Sequence, residues 1–158
     1  MIAIMHRRFS LLLVVCACLQ LPGLPEAKHD GQLVDQLQRV IADVRKVETP
    51  SSARHQSAER LSKITGKINP KEVDDRTLDD LLSLLDISDD SVRFWVAASV
   101  GELGPRARIA VPKLLEILHE VECIPTAGLT SEGAIRLALK RIGAAAPPQA
   151  DCGKRSAS

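Results

Sequence analysis

Residues 89–105 read DDSVRFWVAASVGELGP, and this stretch decides the fold. It holds Trp95, the only Trp in a chain of 158 residues, and Phe94, one of two Phe. Apolar or small side chains recur here at intervals of three and four, as on one face of a helix: Val92, Val96, Ser99, Val100 and Leu103. The pair Gly104 and Pro105 ends the pattern, because glycine readily closes a helix and proline cannot continue one. We therefore expect a helix with a buried stripe.

The composition favours helices packed on helices. Aromatic residues make up only 2% of the chain and Tyr is absent, so aliphatic side chains must fill the core. Such residues suit an all-α fold better than an aromatic-rich β-sandwich. Basic and acidic residues number 21 and 20, and the net charge of +1 gives no electrostatic reason to expect nucleic acid as a partner.

Five further helices are predicted by the same spacing of apolar residues. The five segments are 33–44, 58–68, 78–85, 110–121 and 131–142. Thr49 is expected to cap the second helix of the chain ahead of Pro50, and Thr77 to cap the third. A short turn is expected at 69–72, and Gly143 should end the last helix.

Two parts of the chain repeat each other. LLSLL at 81–85 matches LLEIL at 114–118, 33 residues further on, and LG at 103–104 matches IG at 142–143, 39 residues further on. A helical hairpin repeated at this length is typical of an α-solenoid, in which stacked units share one core.

The repeated unit resembles the HEAT repeat. In segment 92–104 the Val-Arg pair, the central Ala and the Val-Gly and Leu-Gly pairs look like the second helix of such a unit. AVPKLL at 110–115 looks like the first helix of the next one, whereas Ser-Glu at 131–132 departs from the usual Val-Arg. The resemblance implies a short right-handed α-solenoid of about three antiparallel hairpins over residues 28–143. It also implies a scaffold that binds other proteins.

Two residues beside the core stripe are expected to be structural. The resemblance implies that Arg93 pairs with a nearby acid such as Asp89 or Asp90. Trp95 flanks the stripe, and we expect its ring to be largely buried between neighbouring hairpins.

Phe94 and Ala98 lie opposite the core stripe, where polar residues would be usual in this kind of repeat. Two explanations are open at this point. The apolar surface is either covered by the first hairpin or the C-terminal tail, or it forms part of a partner-binding patch.

The N-terminal segment 1–27 predicts an export signal. Arg-Arg at 7–8 precedes an apolar run at 9–19, which is about half the length needed to span a bilayer. Cleavage by a signal peptidase would release a soluble chain. Alternatively, VCAC at 15–18 resembles a lipoprotein box in which Cys18 is lipidated. We expect export to the periplasm or cell envelope, with membrane attachment only through such a lipid.

Export leaves Cys123 and Cys152 as the cysteines of the mature chain. An oxidising compartment favours a disulfide between them, the alternative being two unpaired thiols in a cytosolic protein. The bond would fold the tail, residues 144–158, back over the last hairpin. There it would cover Leu137, which occupies the place equivalent to Ala98 in the second repeat.

No catalytic, cofactor-binding or metal-binding motif is apparent. The sequence lacks a Gly-x-Ser-x-Gly elbow, a phosphate-binding glycine loop and a His-Glu-x-x-His pair. Within the acidic stretch 71–90, segment 86–90 lacks the glycine and distal glutamate of a calcium loop. Helix caps and solvated faces explain most of the acids, and the alternative is a surface for a basic partner. We therefore predict a non-catalytic protein-binding scaffold or adaptor of the cell envelope. The alternatives are a small periplasmic inhibitor or structural solenoid, or a HEAT-like lyase-type enzyme.

Overall fold

Six α-helices joined by turns and 3₁₀ segments make up the part of the chain that the structure describes. The computed structural model describes residues 26–46, 48–124, 130–149 and 151–152, with side chains from residue 31 onward. The helices are α1 (Glu26–Arg45), α2 (Ser51–Thr65), α3 (Asp75–Leu82), α4 (Asp90–Glu102), α5 (Val111–Val121) and α6 (Ser131–Ile142). The 3₁₀ segments are Pro70–Glu72, Ser83–Asp86 and Gly104–Ala110. No strand occurs in these described ranges, so the prediction of an all-α fold with six principal helices is confirmed.

The predicted export signal falls almost wholly outside the described residues. Cys18 lies outside them, and α1 begins at Glu26, within the predicted segment 1–27. Within the described part of the chain, no helix combines the length and the apolar character that crossing a membrane requires.

Short-range hydrogen bonds fix several helix ends. Three side chains each accept a hydrogen bond from the backbone N–H three residues further on, at the start of α3, α4 and α6: Asp74 from Thr77 (2.6 Å), Asp89 from Val92 (3.1 Å) and Thr130 from Gly133 (3.1 Å). Gly143 closes α6 in the left-handed conformation, with φ at +82°. This confirms the predicted stop.

The predicted caps of α2 and α3 are wrong. Pro50, not Thr49, occupies the N-cap position of α2, and no side chain caps that helix. Asp74 rather than Thr77 caps α3, because α3 begins at Asp75 and Thr77 therefore lies inside its first turn. The Thr77 hydroxyl is buried and instead accepts a hydrogen bond from Gln38 Nε2 at 2.9 Å, which joins α3 to α1.

Helix α4 is central to the packing. It packs extensively against both α2 and α6, while α1 packs on α2 and α5 on α6. Its predicted core stripe is confirmed, because all five members are buried: Val92, Val96, Ser99, Val100 and Leu103. Aliphatic residues of all six helices join them in one cluster, in keeping with a composition poor in aromatic rings.

Charged side chains link elements that are distant in sequence. Three ion pairs do this across the α3 region, each with one partner in the acidic stretch 71–90: Arg45 with Asp80 (2.9 Å), Arg106 with Asp75 (2.6 Å) and Lys113 with Asp86 (2.6 Å). Arg106 also donates to the Val73 carbonyl at 2.9 Å. Caps and ion pairs thus account for most of the acids in this stretch.

A disulfide joins Cys123 and Cys152, with the two Cα atoms 5.3 Å apart. The predicted pairing is confirmed, because that separation lies within the range that the bond permits. The tail is also held by Arg136, whose Nη1 donates to the Pro147 carbonyl at 2.7 Å.

The described part of the tail, residues 144–149 and 151–152, does not cover Leu137 as predicted. That side chain is 48% exposed in the described structure. The reason is geometric, because successive residues of a helix point about 100° apart. The described tail follows the side of α6 that carries Arg136 and leaves the side that carries Leu137 open.

Candidate functional site

A groove of about 390 Å³ lies between α4 and α6. Its lining is mainly apolar or small, with one cation at the edge, and consists of Phe94, Ala98, Gly101, Thr130, Gly133, Ala134, Leu137, Ala138 and Arg141. Residues of α4 line it at intervals of four and three, and so do residues of α6, as expected when two helices each contribute one face. Both predicted binding residues, Phe94 and Ala98, lie in this groove.

Small residues let the two helices approach closely beneath the groove. A methyl group placed on Gly101 would come within 3.1 Å of the Ala138 Cα and 3.3 Å of its Cβ. Gly101 and Ala138 are buried, whereas Leu137 stands at the surface. The groove therefore has a floor of backbone and methyl groups and one exposed aliphatic wall.

The opposite wall is supported by a row of rings. Phe94 and Trp95 pack in a T-shaped arrangement with ring centroids 4.9 Å apart, and Trp95 and the ring of His55 on α2 pack in the same way at 6.4 Å. His55 Nδ1 lies 2.5 Å from the Ser91 hydroxyl, which ties this row to the start of α4. Trp95 is partly buried and packs on the core. Its ring lies on the α2 side of α4, and Phe94 lies on the α6 side.

Polar contacts close the two ends of the groove. At one end Arg141 Nη1 donates to a Glu102 carboxylate oxygen at 2.5 Å. At the other end the Asp90 carboxylate accepts hydrogen bonds from the hydroxyl and the backbone N–H of Ser131. These contacts join α4 to α6 at both ends of the groove, and the apolar part of the groove lining lies between them.

Arg93 pairs with an acid, as expected, but that acid is Glu120 and not Asp89 or Asp90. Its Nη2 pairs with Glu120 on α5 at 2.8 Å, and its Nε donates to the Leu85 carbonyl at 3.0 Å. Asp89 caps α4, and Asp90 is held by Ser131. Arg93 therefore joins α4 to α5 and to the preceding 3₁₀ segment instead of closing a pair within its own helix.

Sequence reasoning found one side of the groove and missed the other. Leu137, Gly101 and Arg141 were not predicted as site residues. The 39-residue repeat does relate Leu137 to Ala98, and that was the available signal. It did not indicate that Phe94 faces α6 across the groove.

Other parts of the described structure are weaker candidates for a functional site. A depression of about 570 Å³ at the α1–α2 turn is lined by Lys46, Glu48, Thr49 and Pro50 and gathers no set of convergent groups. Among the described residues, no group of three or more His, Cys, Asp or Glu side chains could hold a metal ion.

Comparison with known proteins gives no relative. No family model, no curated protein and no solved structure matches this chain.

Proposed function

We propose that this protein is a non-catalytic scaffold of the cell envelope that binds another protein in the groove between α4 and α6. The observation that carries the proposal is the open apolar groove, in which Leu137 is 48% exposed beside the Phe94 wall. Apolar surface at a concave site gains free energy when a partner excludes water from it, by about 25 cal/mol for each Å² buried.

Two further expectations complete the proposal. The first is that the three helix pairs stack as a right-handed HEAT-like solenoid, which the packing of α4 against both α2 and α6 supports. The second is export to the periplasm or envelope. The Cys123–Cys152 bond supports it, because structural disulfides persist mainly in oxidising compartments.

Affinity capture from an envelope extract of the source organism tests this function. The bait is the oxidised full chain, compared with two variants. Ala98→Gln places a polar side chain in the groove, and Ile109→Ser changes a residue that is 61% exposed on the 3₁₀ segment before α5, outside the groove lining.

We expect a partner that is retained by the wild type and by Ile109→Ser and lost with Ala98→Gln. Equal recovery of every protein with all three baits would refute binding in the groove. If the retained partner is an enzyme, assaying it with and without this chain separates an inhibitor from an adaptor.

A further inference from the structure

We propose that the groove between α4 and α6 receives a short amphipathic α-helix of the partner, with two bulky apolar residues about one turn apart and a carboxylate that meets Arg141. This inference rests on the proposed function and adds the chemistry of the occupant. The length of the groove, its open side and the charge at its end carry it.

The length of the groove matches about two turns of helix. Its lining on α6 runs from Gly133 to Arg141, which corresponds to about 12 Å along the helix axis at 1.5 Å per residue. The floor of Gly and Ala residues admits side chains as bulky as Leu or Phe. An occupant of this length presents two such residues at i and i+3 or i+4.

The open side of the groove favours an amphipathic helix over an acyl chain. The wall residue Leu137 remains half exposed, and Ala98 is partly buried, so an occupant keeps one side in water. An amphipathic helix satisfies this with its polar face, whereas an acyl chain would leave apolar surface wet. A peptide added as a strand would need a free sheet edge, and the described residues contain no strand.

The charge at one end of the groove favours an acidic residue on that helix. Arg141 is exposed and lines the groove, and in the described structure only its Nη1 has a protein acceptor, Glu102. A guanidinium has five N–H donors, so Nε and Nη2 remain able to hold a second carboxylate.

Helix-stabilised peptides of about four turns test the inference by fluorescence anisotropy at low salt. The probe peptide has leucines at its fifth and ninth positions and a glutamate at its twelfth, and a second peptide carries the reversed order. In one matched control lysine replaces the glutamate, and in another alanines replace both leucines. The protein is the oxidised full chain, with Leu137→Ser, Arg141→Gln and Ile109→Ser as variants whose folding is checked by circular dichroism.

We expect one glutamate peptide to bind about threefold to fivefold more tightly than its lysine control. We expect this preference to disappear with Arg141→Gln. Replacing the leucines, or Leu137→Ser in the protein, should weaken binding about tenfold, and Ile109→Ser should leave it unchanged. The inference is overturned if the glutamate and lysine peptides bind alike, or if Leu137→Ser has no effect.

Two controls distinguish a partner helix from other possible occupants of the groove. Displacement of the peptide by micromolar palmitate would identify an acyl-chain site, and a dimer in equilibrium sedimentation that Leu137→Ser dissociates would identify a second copy. Either result overturns the inference. If no peptide binds but envelope capture still depends on Ala98, only the inference fails. If capture does not depend on Ala98 either, the proposed function fails as well.

Discussion

Single residues set the boundaries of the helices, and the cap of α3 shows how. The Asp74 carboxylate accepts a hydrogen bond from the Thr77 backbone N–H, and this bond holds the pKa of Asp74 below its ordinary value of 3.8. The charged form is therefore favoured in the folded state. Its stabilising contribution is complete above the unfolded pKa and disappears as the pH falls through the lower folded pKa.

Replacing this cap tests the assignment. Asp74→Ala should lower the free energy of unfolding at pH 7 by about 1 kcal/mol, because the N–H at the helix start loses its acceptor. Asp74→Asn keeps an acceptor oxygen and has no charge to lose. Urea unfolding measures the free energy of unfolding of wild type and Asp74→Asn at pH 7 and pH 2.5. The difference between the two proteins should be smaller at pH 2.5. A difference that is the same at both pH values would contradict the role of the ionised cap.

The row of rings at α4 makes a second prediction about one residue. Trp95 contacts both Phe94 and His55, so Trp95→Ala should remove about 3 kcal/mol of stability, near the lower end for buried Trp because the ring is partly buried. Trp95→Phe should cost less. Denaturant unfolding of both variants measures this, and a loss below about 1 kcal/mol for Trp95→Ala would show that the ring contributes little to packing.

The helices were predictable as elements because their signals are local. The three-to-four spacing of apolar residues predicted all six, and Gly143 marked the end of α6. The partner of Arg93 was not predictable in this way. Glu120 lies 27 residues further along the chain and becomes a neighbour only when α5 packs near α4. The groove also combines predictable and unpredictable residues. Phe94 and Ala98 were predictable from their positions on α4, whereas the opposite wall depends on how α4 and α6 pack together.

Two glycine substitutions test that approach. Alanine is favoured over glycine within a helix by about 1 kcal/mol, so Gly31→Ala in α1 should stabilise the fold, because a methyl group there meets nothing within 4 Å. Gly101→Ala should gain nothing, and Gly101→Val should cost about 1 to 3 kcal/mol, because the side chain meets the Ala138 backbone. Thermal unfolding compares the variants. Equal gains for Gly31→Ala and Gly101→Ala would mean that the two helices lie further apart.

At the scale of the whole molecule, ion pairs and a disulfide connect elements that are distant in the sequence. Ion pairs join α1 and α5 to the α3 region, and the disulfide joins the end of α5 to the tail. The pairing of Cys123 with Cys152 followed from the count of cysteines once an export signal was expected. The path of the tail did not follow, because it depends on Arg136 holding the Pro147 carbonyl.

Removing the disulfide should destabilise the fold without changing its helix content. Cys123 and Cys152 are 29 residues apart, and closing a loop of that length stabilises a fold by roughly 3 to 4 kcal/mol in the chain-entropy model. The double variant Cys123→Ser with Cys152→Ser should therefore lower the free energy of unfolding by this amount. Reductant should have the same effect on the wild type and none on the variant. Equal stability with and without reductant in the wild type would contradict the prediction.

Photo-crosslinking from the groove tests most directly whether this groove binds a protein. p-Benzoylphenylalanine is placed at Leu137 in one protein and at Ile109 in a matched control, and each is irradiated in envelope extract of the source organism. We expect a distinct cross-linked protein at Leu137 that is absent at Ile109 and is competed away by excess wild type but not by Ala98→Gln. The same cross-linked species at both positions, or none at Leu137, would contradict the assignment of this groove as a protein-binding site.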